Sequence, residues 1–115
     1  MLEIDMEYRK GVLFIRLIGE LIESTIPVLE QEVTHIMKDY GIGNIVFNVE
    51  GLEVIDMKGI NALLKHYELA KDSHGKVMLC GLKNDLVKHR IENSHLLNYM
   101  YETSDELTAL SYMSY

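Results

Sequence analysis

Asn44-Ile-Val-Phe-Asn-Val-Glu-Gly-Leu-Glu-Val-Ile-Asp56, running straight into Met57-Lys-Gly-Ile-Asn-Ala-Leu-Leu64, is the stretch on which the fold turns. Residues 44–49 are apolar enough to be buried on both faces, as in strands of parallel or mixed sheets covered by helices. The period then changes. Asp56 can cap a helix, because its carboxylate accepts backbone N–H groups that a first turn leaves unpaired. Ile60, Leu63, Leu64, Tyr67 and Ala70 follow at helical spacing and predict one inner face. Ser73-His74-Gly75 closes the helix.

The same alternation of elements extends both ways. Toward the carboxyl end, Lys76 to Gly81 predicts a central strand. A helix over about 84–93 turns Leu86, Val87 and Ile91 inward. A short strand is expected at Asn98 to Tyr101, and Thr103 with Glu106 reads as a capping box for a last helix through Leu110. Toward the amino end, residues 2–8 alternate apolar with polar, and Val12 to Ile18 is β-rich. Arg9-Lys10-Gly11 between them reads as a hairpin turn. Pro27 suits a first helical turn, with Ser24 or Thr25 as its cap. Leu29, Val33, Ile36, Met37 and Tyr40 predict one apolar stripe, and Gly41 permits the left-handed stop. The order ββαβαβα(β)α predicts an α/β fold, a mixed sheet of about four to five strands with about four helices packed on it.

Composition bounds the chemistry. The chain has 115 residues, 48% hydrophobic, with 11 Lys+Arg against 18 Asp+Glu and a net charge of −7. That length suits one domain with a core of its own. The acidic balance argues against a nucleic-acid footprint and against an anionic membrane surface. The strongly apolar run from Val12 to Ile18 is broken by Arg16 and falls far short of the roughly 20 residues that span a bilayer. No targeting segment, repeat or linker is evident. The single cysteine, Cys80, cannot form an internal disulfide, so a reducing, cytoplasmic setting is expected.

No catalytic constellation stands out. His35, His66, His74, His89 and His95 form no i, i+4 zinc pair, so neither metal nor cofactor is expected. Gly41-Ile42-Gly43-Asn44 is too short for a phosphate loop, and no serine sits in a nucleophile elbow. Glu53 and Asp56 are an ordinary loop pair, and Cys80 in an apolar strand reads as an inert small hydrophobe. Met6, Met37, Met78 and Met100 read as core filler. Lys88-His89-Arg90 reads as a solvated basic face, with a partner contact as the alternative. The sequence predicts a protein that is not an enzyme.

A wider pattern carries more. Gly19-Glu20-Leu21 runs into Thr25-x-Pro27; the 44–56 stretch leads to Gly59-Ile-Asn-Ala-Leu-Leu64; Gly75-Lys-Val-Met-Leu-Cys80 and Thr103-Ser-Asp-Glu-Leu-Thr-Ala-Leu110 follow. In this order and spacing they resemble the STAS domain family of bacterial anti-sigma factor antagonists. The resemblance covers residues 3–110, leaving 111–115 as a short tail. It implies partner switching: a histidine-kinase-like ATPase, the anti-sigma factor, binds either its sigma factor or the STAS protein. It phosphorylates the latter on a serine within Asp-Ser-(Ser/Thr)-Gly at a helix start. A helix N-terminus tolerates a phosphate, whose added charge then changes docking.

Here the pattern departs. Asp56 and Gly59 match the motif, but Met57 occupies the acceptor position and Lys58 the next. Ile22 stands where the family has an aspartate after Gly-Glu-Leu. By resemblance the partner surface comprises Glu20, Ile22, Thr25, Asp56, Met57, Lys58, Gly59 and Ile60, with no phosphoacceptor. The expectation is a module that binds a kinase-like anti-sigma factor, with Ile22 and Met57 as apolar anchors and Lys58 meeting an acidic residue or a nucleotide phosphate. The alternatives are a STAS module that senses a nucleotide or lipid, and a structural protein that self-associates as a weak homodimer. Drift in a paralogue released from switching would leave the same residues.

Overall fold

Alternating residues make Leu2–Arg9 a strand (β1) that folds back antiparallel on Val12–Leu21 (β2). The two-residue turn between them, Lys10-Gly11, has φ of 53° and 79°. That left-handed geometry matches the twist of a tight hairpin. In the computed structural model residues 1–113 are described, so the end of the expected 111–115 tail lies outside them. Strands Ile45–Ile55 (β3), Val77–Cys80 (β4) and Tyr101–Thr103 (β5) complete one sheet in the order β1-β2-β3-β4-β5. Only β1 with β2 is antiparallel; the remaining pairs are parallel.

Alternation along the strands divides the molecule into two unequal layers. Leu13, Ile15 and Leu17 of β2, Phe47 of β3 and Leu79 of β4 point to one face. There they meet a helical rod, a long helix and a shorter one. The rod is Ile26–Leu29 (α1), a π turn over Glu30–Thr34, and His35–Tyr40 (α2). The long helix is Met57–Asp72 (α3), and the shorter is Asp85–Glu92 (α4). Val12, Phe14, Val46, Met78 and Cys80 point the other way and are covered by a single helix, Glu106–Met113 (α5), through Ala109, Leu110 and Met113. The Cα radius of gyration is 12.7 Å, as expected for one domain of this length.

Several elements differ from their sequence expectation, each for a physical reason. β3 runs to Ile55 instead of stopping at Val49. Beyond the end of β4 it continues on β2 alone, across two register irregularities. Tyr40 is 77% exposed instead of facing inward. The π turn holds Leu29, Val33 and Met37 inside at a spacing of four, and three further residues then leave that face. Neither Ser24 nor Thr25 caps α1. The Thr25 hydroxyl turns back, donating to the Glu20 carbonyl at 2.8 Å and accepting from the Ile22 N–H at 3.0 Å. A 3₁₀ turn occupies Leu96–Asn98, and the last strand starts only at Tyr101, opposite Met78. The cap of α5 is Asp105, which accepts the Thr108 N–H at 2.8 Å, while Glu106 reaches across the sheet. That helix continues to Met113, which is buried against β2–β4. Met37, Met78 and Met100 are buried as expected; Met6 is half-buried on the main core.

Candidate functional site

Because β2 and β3 are parallel, Leu21 and Ile55 pair at the same edge, and the segments after them leave the sheet side by side. Asp56 joins the two. Its Oδ1 accepts the Gly59 N–H at 2.7 Å and so caps α3. Its Oδ2 accepts the Glu23 N–H at 3.0 Å, and its own N–H donates to the Leu21 carbonyl. One carboxylate thus fixes both the start of α3 and the 3₁₀ turn Glu23–Thr25. Gly59 lets the helix sit this close: a Cβ there would lie 2.2 Å from the Leu21 carbonyl oxygen.

The residues singled out from the sequence therefore divide by position. Thr25, Gly59 and Ile60 are buried, and Asp56 is half-buried with both oxygens engaged. They build the corner. Glu20 is half-buried and meets the Met1 amine at 3.0 Å. Met57 and Lys58 are exposed, Met57 by 60%, and Ile22 beside them is half-buried. Outward at this corner the chain presents a thioether, a lysine and an isoleucine edge.

Met57 is also one end of an open groove of about 620 Å³ between α3 and α4. Leu86 lines it and is 48% exposed, instead of facing the core as its periodicity suggested. Val87 and Ile91, four residues apart, are the buried pair of this helix, and Leu86 stands about 100° round from Val87 on the groove side. The sequence signal for this part of the site was Lys88-His89-Arg90, since His89 and Arg90 line the groove.

The remaining polar clusters are engaged internally. His66 is buried; its Nδ1–H donates to the Ala62 carbonyl at 2.7 Å, so Nε2 accepts from the Thr34 hydroxyl at 2.8 Å. Burial pushes its pKa below the usual histidine value. On the opposite face Arg16 donates to Glu106 through Nε and Nη2 at 2.7 and 2.8 Å, to Asp5 at 2.8 Å and to Glu7 at 2.8 Å. The Arg16 hydrogen bonds hold the Glu106 carboxyl below its usual range, and Asn48 adds a further donor. Burial pushes the Cys80 thiol up to about 12, which leaves it protonated and unreactive. Among the described residues no group of three His, Cys, Asp or Glu could hold a metal ion, and no helix is long and apolar enough to cross a membrane.

Comparison with known proteins agrees with this architecture. The family model of the STAS domain matches residues 3–111. The anti-sigma F factor antagonist of Paenibacillus polymyxa is 28% identical over 110 residues, covering 96% of this chain and 93% of that protein. An anti-sigma factor antagonist from Mycobacterium paratuberculosis superimposes with a TM-score of 0.82 at 22% identity, covering 98% of this chain and 94% of that one. The Bacillus cell fate determinant SpoIIAA in its phosphorylated form gives a TM-score of 0.71 at 18% identity, covering 97% of this chain and 98% of that one.

Proposed function

The chain belongs to the STAS domain family, and from that membership we propose that it is a non-enzymatic, cytoplasmic regulator that docks a histidine-kinase-like anti-sigma factor. Ile22, Met57 and Lys58 form the centre of the docking surface; Glu20, Thr25, Asp56, Gly59 and Ile60 shape it from beneath. The observation that carries this reading is the Asp56 corner. Its carboxylate holds two loops together and leaves Met57 exposed at the first position of α3.

The regulation differs from a phosphate switch. SpoIIAA, a relative in fold, is known in phosphorylated and unphosphorylated forms. A phosphate at the start of α3 would add nearly two negative charges beside Asp56. Met57 has no hydroxyl to accept one, so the surface stays in a single charge state and binding is constitutive. Lys58 in the first turn opposes the helix dipole by a few tenths of a kcal/mol when exposed. Its cation is then available to a carboxylate on the partner.

The test is retention of a kinase-like anti-sigma ATPase from the same cell on the immobilised chain, with and without ATP. The expected outcome is a complex that ATP does not dissolve, and one that becomes ATP-sensitive in Met57→Ser with transfer of labelled phosphate to the variant. No retention by either protein, together with no phosphate transfer to the variant, overturns the reading.

A further inference from the structure

The groove that starts at Met57 has a composition unlike the rest of the chain. Ile60 and Leu96 lie buried at its floor, Leu64 is half-buried, and Met57 and Leu86 flank them with exposed apolar surface. None of its lining residues is acidic, in a chain with 18 Asp+Glu. Arg90 is the one lysine or arginine among its lining residues, and Lys58 follows Met57 in sequence. Arg9, Arg16, Lys65 and Lys83 each meet a carboxylate within 4 Å. Among the described residues Arg90 and Lys58 take part in none of the ion pairs.

From this we infer that the α3–α4 groove seats an amphipathic helix with acidic flanks, contributed by the docking partner. The inference rests on the docking role proposed for Met57 and names the chemistry of what docks there. The groove walls are helices, which offer no strand edge, so an added β-strand has nothing to pair with. From Met57 to Leu64 is about two helical turns, roughly 10 Å. That span accepts apolar anchors spaced i, i+3 or i+4, and i+7 on the incoming helix. Its apolar side covers Met57, Leu64 and Leu86, and its carboxylates reach Lys58 and Arg90. An arginine able to hold a carboxylate through two N–H groups supplies direction as well as charge.

The probe is a fluorescein-labelled, hydrocarbon-stapled peptide with leucine anchors at i, i+4 and i+7 and glutamates on its flanks. Its counterpart carries lysine at every glutamate. The acidic peptide is expected to bind at least about tenfold more tightly, with added salt narrowing the gap, and Arg90→Glu to reverse the preference. Leu86→Ala weakens both peptides equally. Circular dichroism checks that each variant keeps the parent melting temperature, as substitutions at exposed positions should. Equal binding of the two peptides, or an Arg90→Glu variant that behaves like the parent, overturns the inference. The same variant separates it from the proposed function. If the anti-sigma ATPase binds parent and Arg90→Glu equally, the groove inference falls and the docking reading stands. If the ATPase binds neither while the peptides discriminate, the groove inference stands and the docking reading falls. If Arg90→Glu abolishes self-association in sedimentation equilibrium without changing peptide binding, the occupant is a second copy of the chain and the inference is overturned.

Discussion

Two arginines on opposite sides of the sheet mark the contrast between its layers. Arg16, on the α5 side, is held by Asp5, Glu7 and Glu106, and its guanidinium ties the last helix to β1 and β2. Arg90, on the helical side, lines an apolar groove and takes part in none of the ion pairs among the described residues. The first arginine uses its charge on the fold; the second leaves it available. The α5 layer is a closed structure, whereas the helical layer is a stable platform carrying an open surface.

Applying the same substitution to both arginines gives the largest expected difference. Arg16→Leu leaves three carboxylates close together and frees the start of α5. Breaking a buried pair costs ~3–5 kcal/mol, and partial exposure lowers this to about 2–3 kcal/mol. Arg90→Leu lies on the surface and is expected to change stability by no more than about 0.5 kcal/mol. Urea denaturation of the two variants measures both, and equal losses would erase the distinction between the layers.

Asp56 comes next. Asp56→Ala removes the cap of α3 and the tie to Glu23, with an expected cost of about 1–2 kcal/mol. Asp56→Asn keeps an oxygen for Gly59 but offers an NH₂ donor toward the Glu23 N–H, so about half of that loss should remain. If the asparagine variant matches the parent in stability and in anti-sigma ATPase retention, the link between the two loops contributes nothing to the platform.

What could be read from the sequence follows the range of the interactions. The Lys10-Gly11 turn, the Gly41 stop and the Asp56 cap depend on residues within a few positions of each other, and all three stand as expected. On α3, Ile60, Leu63 and Ala70 are buried as expected, whereas Leu64 and Tyr67 are half-buried and Ala62 and His66 are buried beside them. The contacts that define the two layers are long-range. Glu23 and Asp56 are 33 residues apart, and Arg16 and Glu106 are 90 apart. A capping-box pattern at Thr103 and Glu106 pointed to a local role for a glutamate that a distant arginine claims instead. The candidate site was legible in the same measure. The Asp56 cap of α3 followed from local capping chemistry, while the tie from Asp56 to Glu23 is long-range and the α4 wall required knowing that Leu86 turns outward beside Val87.

The two layers also respond to acid in different windows. On the helical side, His66 has a lowered pKa, so its neutral form is favoured in the folded state. As pH falls, the unfolded chain takes up this proton first, near the usual value of about 6.5. The stability is complete above that pH and is lost progressively below it. On the α5 side, Glu106 is held low by Arg16, so its contribution is complete above the ordinary glutamate value of about 4.3 and is lost as pH falls through the folded value. His66→Gln is expected to flatten the stability profile between neutral pH and the carboxylate range, and Glu106→Gln to flatten it only at lower pH. A single unchanged profile for both variants would show that the layers are not electrostatically separate.

The smallest effect on stability is expected at Met57, the centre of the proposed docking surface. Met57 is exposed at the first position of α3 and makes no hydrogen bond that its side chain could lose, so Met57→Ser should change stability by only about 0.5 kcal/mol or less. Asp56 still caps the helix, so the corner keeps its shape. The variant therefore isolates surface chemistry from folding. If thermal unfolding of Met57→Ser overlays that of the parent while ATP gains control over anti-sigma factor binding, one side chain on the open layer separates a constitutive docking surface from a switched one. If the melting temperature falls by more than about 5 °C, Met57 belongs to the packing of the platform. The open surface would then be the rest of the α3–α4 groove, without Met57.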